Sequence, residues 1–310
     1  MGLDAPAVKF LCAAKSLGVD FSDAATIGRQ SFFPDARSLR QVFSVLGISR
    51  QAETFLEENP YSEAFFSLLG AREVTSVDFS DYEAATVVHN MNRPIGGELR
   101  KRFSVVHDGG TLEHVFHVTQ ALKNSLEMVR VGGHFSIANI ANNFMGHGFW
   151  QFSPDLIFRV LSPENGYQIE CVLLHEAVSD GAWYLVADPA EVRSRVELRN
   201  ALPTYIMAIA ERVREVEIFA NPPQQSDYVA LWDASSGGEK NHCAVQRNDG
   251  RPERCALDGL RRWVPANVRA ALRRFCLQGF FVRRWREFNP AHYRRVQERD
   301  LLRGQFGSGA

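Results

Sequence analysis

The sequence predicts an α/β protein with a doubly wound, mostly parallel seven-stranded sheet that closes in an antiparallel hairpin. Two observations predict it. From residue 53 onward short apolar runs alternate with stretches of helical spacing, the pattern of βαβ units. The last two runs are joined only by Glu176-Ala-Val-Ser-Asp-Gly181, a hairpin-length connection.

Taken in chain order, the first fifty residues read as a helical cap. Pro6 can open a helix carrying Val8, Phe10, Leu11 and Leu17, and Asp35 to Leu46 places Leu39, Val42, Phe43 and Leu46 at helical spacing before Gly47. Between them, Ile27-Gly28-Arg29-Gln30-Ser31 reads as a polar turn, either a plain connector or one laid over a ligand. Strands are expected at Thr54–Glu57, Val74–Phe79, Thr86–His89, Ser104–His107, His134–Ile140, Tyr167–His175 and Trp183–Ala187. Helices are expected at Ser62–Leu69, Leu99–Arg102 and Val118–Val129. Glu191 to Glu217 reads as helical, and Asn221 to Gly250 as a polar, Gly- and Ser-rich loop. The implied division is 1–50 as the cap, 51–190 as the sheet domain, and 191–310 as a mainly helical extension rich in arginine.

Composition limits the function classes. The 310 residues are 45% hydrophobic and 23% charged, enough for a full core, and the formal net charge of −1 offers no overall attraction to nucleic acid or membrane. Charge is uneven, because Arg251 to Arg303 is dense in arginine. Val264, Leu272, Phe275, Phe280 and Phe281 interleave it and call for burial. The five cysteines are odd in number and scattered, which predicts reduced thiols and a cytoplasmic protein. No run approaches the ~18 apolar residues of a membrane span, and the apolar stretch before Lys15 is too short for a signal peptide.

In an open α/β sheet, ligands bind outside the carboxyl ends of the strands. Asp78 ends the run Val74-Thr-Ser-Val-Asp78, and Phe79 follows it. His89-Asn90-Met91-Asn92 follows the third expected strand. Ser104-Val-Val-His-Asp108-Gly109-Gly110-Thr-Leu-Glu113-His114 follows the fourth pattern, with two glycines that admit a ligand close to bare backbone. After the fifth stand Asn139, Asn142, Asn143, His147 and Gln151, with Phe149 and Trp150 as apolar walls, a mixture suited to a small molecule.

The run from Ser104 through Glu113-His114 to the helix and glycine turn of Ala121–Gly133 resembles the class I S-adenosylmethionine methyltransferases, whose fourth-strand loop often ends in Leu-Glu-His. The resemblance covers about 140 residues, under half the chain. It implies a Rossmann-like core and S-adenosylmethionine as cofactor. Asp78 would hold the ribose, with Phe79 beside it. Asn90 and Met91 would meet the adenine, although the family has Asp where this chain has Asn90. Asp108, Gly109, Gly110 and Glu113 would face the amino-acid end. The family's glycine-rich loop is missing from the place expected for it, Phe55 to Glu63, where Glu57 and Tyr61 would line an altered path.

His114 or His147 is the candidate general base, since histidine titrates near neutral pH. Asn139, Asn142 and Asn143 are candidates for orienting the reacting groups. The sequence spacing offers no metal-ligand pattern, so no metal is expected. The implied activity is methyl transfer to a small molecule, in secondary metabolism. An alternative is cyclisation of S-adenosylmethionine itself to azetidine-2-carboxylate with release of methylthioadenosine, and another is a catalytically silent binding protein. The expected partners are a small-molecule substrate and a second copy of the chain, not nucleic acid or a membrane.

Overall fold

The computed structural model describes residues 2–178, 181–236, 289 and 291–306. The arginine-rich, phenylalanine-interleaved stretch from Arg251 to Phe288 lies outside the described residues.

The chain opens with strand β1 (Gly2–Leu3) and helix α1 (Ala5–Ser16), whose N-cap Asp4 accepts from the Ala7 N–H at 3.0 Å. Every residue from Ala7 to Ala14 is buried, so α1 is a core helix covered all round. Strand β2 (Asp23–Ile27), strand β3 (Ser31–Phe32) and helix α2 (Ala36–Leu46) follow. Helix α2 starts at Asp35, which accepts from Ser38 N–H at 2.9 Å, and stops at Gly47 with φ of 69°. Helices α3 (Ala52–Glu58) and α4 (Glu63–Leu68) lead into strands β4 (Glu73–Asp78), β5 (Val87–Val88) and β6 (Phe103–Asp108). Helix α5 (Val118–Met128) runs directly into the long strand β7 (Val129–Asn142). Helix α6 (Pro154–Val160), strands β8 (Tyr167–Glu176) and β9 (Trp183–Val186), helix α7 (Pro189–Val192), strand β10 (Thr204–Arg212) and helix α8 (Ser226–Ser236) complete the main body. Strand β11 (Tyr293–Val296) and helix α9 (Glu298–Leu302) are the last described elements.

The sheet is larger and more mixed than expected: nine strands in the order β11-β9-β8-β10-β7-β6-β2-β4-β5. Strands β5, β4, β2, β6 and β7 pair in parallel, and every pairing from β7 outward to β11 is antiparallel. Within the parallel block the chain order runs 3-2-1-4-5, the doubly wound Rossmann-like arrangement, so strand order reverses between β2 and β6. The predicted hairpin is present as β8 and β9. Two apolar clusters flank the sheet. One gathers α1 to α4 residues such as Phe10, Leu39, Phe55 and Phe66. The other gathers Leu122, Leu126, Ile157 and Phe158 from α5 and α6.

Four expectations about elements are corrected, one of them the polar loop read over Asn221 to Gly250, within which Ser226–Ser236 is helix α8. Thr54–Glu57 is not a strand but part of α3, where Ala52 and Phe55 are buried and Glu53, Thr54, Glu57 and Glu58 face solvent. Phe55 meets Phe32 and Phe43 edge-on at 5.7 and 5.4 Å, a contact that a four-residue apolar run cannot announce. The first and innermost strand of the parallel block is instead Asp23–Ile27, whose two alanines disguise it because alanine is a poor strand former. Glu191–Glu217 is not one helix: its centre is β10, inserted between β7 and β8. Its run Tyr205-Ile-Met-Ala-Ile-Ala210 feeds both cores, Ile206, Ala208 and Ala210 on one face and Met207 and Ile209 on the other. Leu99–Arg102 forms a turn rather than a helix, with Lys101 at φ of 55°.

The sheet therefore extends well past 51–190. Strand β2 from the first fifty residues stands in its interior, and β10 from the following segment fills the gap beside β7.

Candidate active site

The carboxyl ends of β4, β2 and β6 lie side by side, because β2 pairs with both neighbours and its Ile27 is level with Val77 and Asp108. The loop after the innermost strand is Gly28-Arg29-Gln30, and it holds a single glycine. Gly28 sits at φ of 76°, a left-handed turn that glycine adopts without strain. Its N–H donates to Val77 O at 2.7 Å, and Arg29 N–H donates to Asp78 Oδ2 at 3.0 Å. The segment Phe55–Glu63 is thus not the first-strand loop. Glu57 stands on the outer face of α3 and lines nothing here. Tyr61 does reach the loop, but by lying under the Arg29 guanidinium, 3.9 Å from its ring centroid. Arg29 is further held by Glu63 Oε1 at 2.7 Å and by Glu83 O at 2.5 Å.

Asp78 is half-buried. Besides Arg29 N–H it accepts from the Phe79 N–H at 2.6 Å, and the Phe79 ring is 69% exposed beside it. Asn90 spends its side-chain oxygen on a local turn, accepting from Asn92 N–H at 3.0 Å. Met91 is 5% exposed and packs in the apolar core. Asn124 on α5 pins this loop by donating to Met91 O at 3.1 Å and Arg93 O at 2.8 Å.

At the end of β6 the backbone turns through Gly109 and Gly110. A side chain at Gly109 would meet Gln30 Oε1 at 2.6 Å and His107 Nε2 at 3.2 Å, and both of those atoms are buried without a hydrogen-bond partner. Gln30 belongs to the polar turn that sequence leaves open as a connector or a ligand-covering loop. Its Nε2 donates to Ile27 O at 2.6 Å, which fixes the orphaned oxygen toward the glycine turn. His107 shares a 3.0 Å hydrogen bond with Ser136 Oγ, and burial pushes its pKa down to about 3, so the ring is neutral.

Asp108, Glu113 and Asn139 form a buried polar cluster at the same end. Asp108 Oδ1 accepts from Thr111 and Leu112 N–H at 3.0 and 3.2 Å. The Asn139 amide donates one proton to Asp108 Oδ2 at 2.8 Å and the other to Glu113 Oε2 at 2.7 Å. Burial, and then the facing Glu113 carboxylate, hold the Asp108 carboxyl well above the ordinary carboxylate range. Asn139 joins two acids that would otherwise repel each other.

His114 and His147 meet over Glu113. Their rings are 5.2 Å apart, and their Nε2 atoms lie 3.8 and 3.7 Å from Glu113 Oε1. Asn142 and Asn143 do not join them. Asn142 donates to Asn200 Oδ1 at 2.9 Å, and Asn143 to Asn200 O at 3.0 Å and Leu202 O at 2.9 Å, so both clamp the connection into β10. His117, one turn on, is exposed against Phe116.

A cleft of about 160 Å³ opens beside this cluster, lined by Gly109, Gly110, Glu113, Asn139, Phe144 and His147, and closed by Asp4, Phe33 and Tyr205. Tyr205 donates to the Asp4 carboxylate. Burial dominates in raising the pKa of both groups. Asp4 and Tyr205 enter through α1 and β10, from chain segments the sequence pattern did not connect to the site. A larger cleft of about 440 Å³ lies among α6, α7 and the start of α8. Its charged groups are already paired, Arg159 with Asp188 at 2.7 Å and Arg195 with Asp227 at 2.6 Å, and it includes none of the predicted residues.

No family model and no curated protein matches this chain. Among solved structures it is similar to a geranyl diphosphate methyltransferase in complex with S-adenosylmethionine, at 12% identity and a TM-score of 0.37, over 67% of this chain and 85% of that one. An N-methyltransferase from Bradyrhizobium japonicum in complex with S-adenosyl-L-homocysteine is similar at 12% identity and a TM-score of 0.36, over 66% and 85%. A [4+2]-cyclase is similar at 11% identity and a TM-score of 0.32, over 53% and 57%.

Proposed function

We propose that the chain is an S-adenosylmethionine-dependent transferase acting on a small molecule of secondary metabolism. The observation that supports this reading best is the switch point of the sheet. There a half-buried carboxylate, Asp78, and a bare glycine turn, Gly109-Gly110, stand on either side of the loop after the innermost strand. The residues suit such a cofactor. Asp78 has lone pairs left for ribose hydroxyls, the exposed Phe79 ring lies alongside for a base, and the bare Gly109-Gly110 turn lines the cleft that would receive the amino-acid end.

When bound, the cofactor supplies a carbon made electrophilic by its sulfonium. The protein's part is to orient, exclude water and move a proton. Asn139 fixes the two buried carboxylates, Phe33, Phe144 and Tyr205 wall the cleft, and in this reading His147, which lines the cleft, or His114, whose ring lies 5.2 Å from it, takes a proton from an acceptor. The amides of Asn142 and Asn143 act at one remove, by holding the loop.

A second reading is favoured by the size of the cleft. Its 160 Å³ is below the ~300–1,000 Å³ of pockets that enclose a drug-sized ligand. Attack by the cofactor's own amino nitrogen on its Cγ, breaking the Cγ–S bond and releasing methylthioadenosine, needs no separate acceptor. Product analysis decides between the two, with S-adenosylhomocysteine marking methyl transfer and methylthioadenosine marking cyclisation. The cofactor reading itself is tested by calorimetry. Asp78→Ala should weaken S-adenosylhomocysteine binding by about 1.5–3 kcal/mol through lost charge-assisted hydrogen bonds. Equal affinity in the wild type and the variant would remove Asp78 from the site, and no binding by the wild type would leave a silent scaffold.

A further inference from the structure

We propose that Glu113, His114 and His147 form a binding site for one divalent cation of borderline softness, of the Zn²⁺ or Co²⁺ kind, at the wall of the cleft. One ligand atom from each of the three lies within 4.8 Å of the others, with Glu113 Oε1 3.8 Å from His114 Nε2 and 3.7 Å from His147 Nε2. A tetrahedral site with bonds of ~2.1 Å has ligand atoms roughly 3.4 Å apart, so the two Glu113–imidazole separations are within a few tenths of an ångström of it, and the two imidazoles have to approach each other from a separation of at most 4.8 Å. The two imidazoles are 39% and 49% exposed, which leaves them free to make that movement and leaves the site open to entry.

The second observation is the state of the carboxylate. Glu113 is 0% exposed, and its Oε1 has no hydrogen-bond partner, while Oε2 is held by the Asn139 amide at 2.7 Å. A buried carboxylate oxygen without a donor is costly. This one faces the two ring nitrogens, and a cation between them would satisfy it. Asn139 stands where an outer partner orients a metal-binding carboxylate.

The two histidine segments are also locked to each other through Glu113. Its carbonyl accepts from Phe149 and Trp150 N–H at 2.9 and 3.2 Å, and Trp150 Nε1 donates to Val115 O at 3.0 Å. A Cβ at Gly148 would lie 2.9 Å from Glu113 O, so glycine permits the loop carrying His147 to lie this close. The ligand set is two imidazoles and one carboxylate, which disfavours the all-oxygen ions Mg²⁺ and Ca²⁺. Three protein ligands leave a position for water or for an oxygen of whatever occupies the cleft.

The proposal does not depend on the transferase reading, though an ion bound to both imidazole nitrogens would take them out of use as the base named there, and the test separates the two. The full chain, stripped with a chelator, is titrated with ZnCl₂ by calorimetry and with CoCl₂ by visible absorption. The expected result is one ion per chain, with nitrogen- and oxygen-type d–d bands. Affinity should fall at least ~100-fold in His147→Ala and in His114→Ala, and about 10–100-fold in Asn139→Ala, while His117→Ala binds as the wild type. Glu113→Gln should also lose the ion. Should that buried variant not fold, the two exposed histidine variants carry the test. Absence of stoichiometric binding, full affinity in the His114→Ala/His147→Ala double variant, or an intense thiolate-to-cobalt band would overturn the site. S-adenosylhomocysteine is titrated into the same samples. Ion binding without nucleoside binding removes only the transferase reading, and nucleoside binding without ion binding removes only this proposal.

Discussion

His107 and Asp108 are neighbours on one strand, yet their environments push them in different ways. Strand alternation sends His107 toward Ser136 and Phe66, and Asp108 toward Asn139. His107 is fully buried and its pKa lies at about 3, far below its ordinary value near 6.5. As pH falls through 6.5 the unfolded chain takes up a proton that the folded chain refuses, so this part of the stability is complete above pH 6.5 and drains away toward pH 3. The slope is about 1.4 kcal/mol per pH unit for one such group. His175, buried against Trp183 and also at about 3, adds a similar slope. Replacing His107 with Asn should flatten the dependence of unfolding free energy on pH between 6 and 4.5 by about 1.4 kcal/mol per pH unit. Denaturant melts of the two proteins across that range check it. Parallel curves would mean that His107 is not held neutral.

The strands that carry the site also depend on close backbone approach. β7 is the longest strand, and it bends at Gly132, with φ of 77°, and Gly133. A Cβ at Gly133 would lie 2.7 Å from Ser104 O and 3.0 Å from Phe103 O, backbone atoms of β6 that cannot swing aside. This is where the β6–β7 register shifts, and downstream of it Asp108 comes level with Ile137, within reach of Asn139. Gly133→Ala should therefore destabilise the fold by about 1–3 kcal/mol through overpacking, read as a lowered urea midpoint at unchanged slope. Arg212 at the end of β10 supports the same region from below. It is 2% exposed, and its NH1 donates to Val129 O at 2.5 Å, where α5 hands over to β7.

For the whole molecule, the telling fact is that the sheet is assembled from four stretches of chain, β2, β4 to β9, β10 and β11. β2 comes from the first fifty residues and makes the contacts that join β4 to β6; without it the parallel block falls into two pieces. The same stretch supplies much of one apolar cluster through Phe10, Leu11, Leu39 and Phe43. It also supplies Asp4 and Phe33 of the cleft. Deleting residues 1–50 is thus expected to abolish cooperative unfolding and the near-ultraviolet dichroism of the packed aromatics, not merely to uncover a site. A truncated chain that melts cooperatively would show that those residues are a detachable cap after all.

Local chemistry made several elements readable in sequence alone: the Asp35 and Gly47 ends of α2, the strands expected at Val74–Phe79 and Ser104–His107 and found at Glu73–Asp78 and Phe103–Asp108, the β8–β9 hairpin, and the glycine turn that bares backbone beside Asp108. These signals act over a few residues, through capping, strand alternation and the permissiveness of glycine. Tertiary structure alone decided which short apolar runs became strands. Asp23–Ile27 and Thr204–Arg212 are strands because neighbours bury them on both sides, and Thr54–Glu57 is helical because Phe55 packs on Phe32 and Phe43. The approach of the Glu113–His114 loop to the loop carrying His147 is expected from sequence, since the two follow adjacent strands, but tertiary structure decided that the two imidazoles meet over one buried carboxylate. The two loops are held together by backbone contacts through Glu113 O and by the glycine at 148, and distance in space is not a property of distance along the chain.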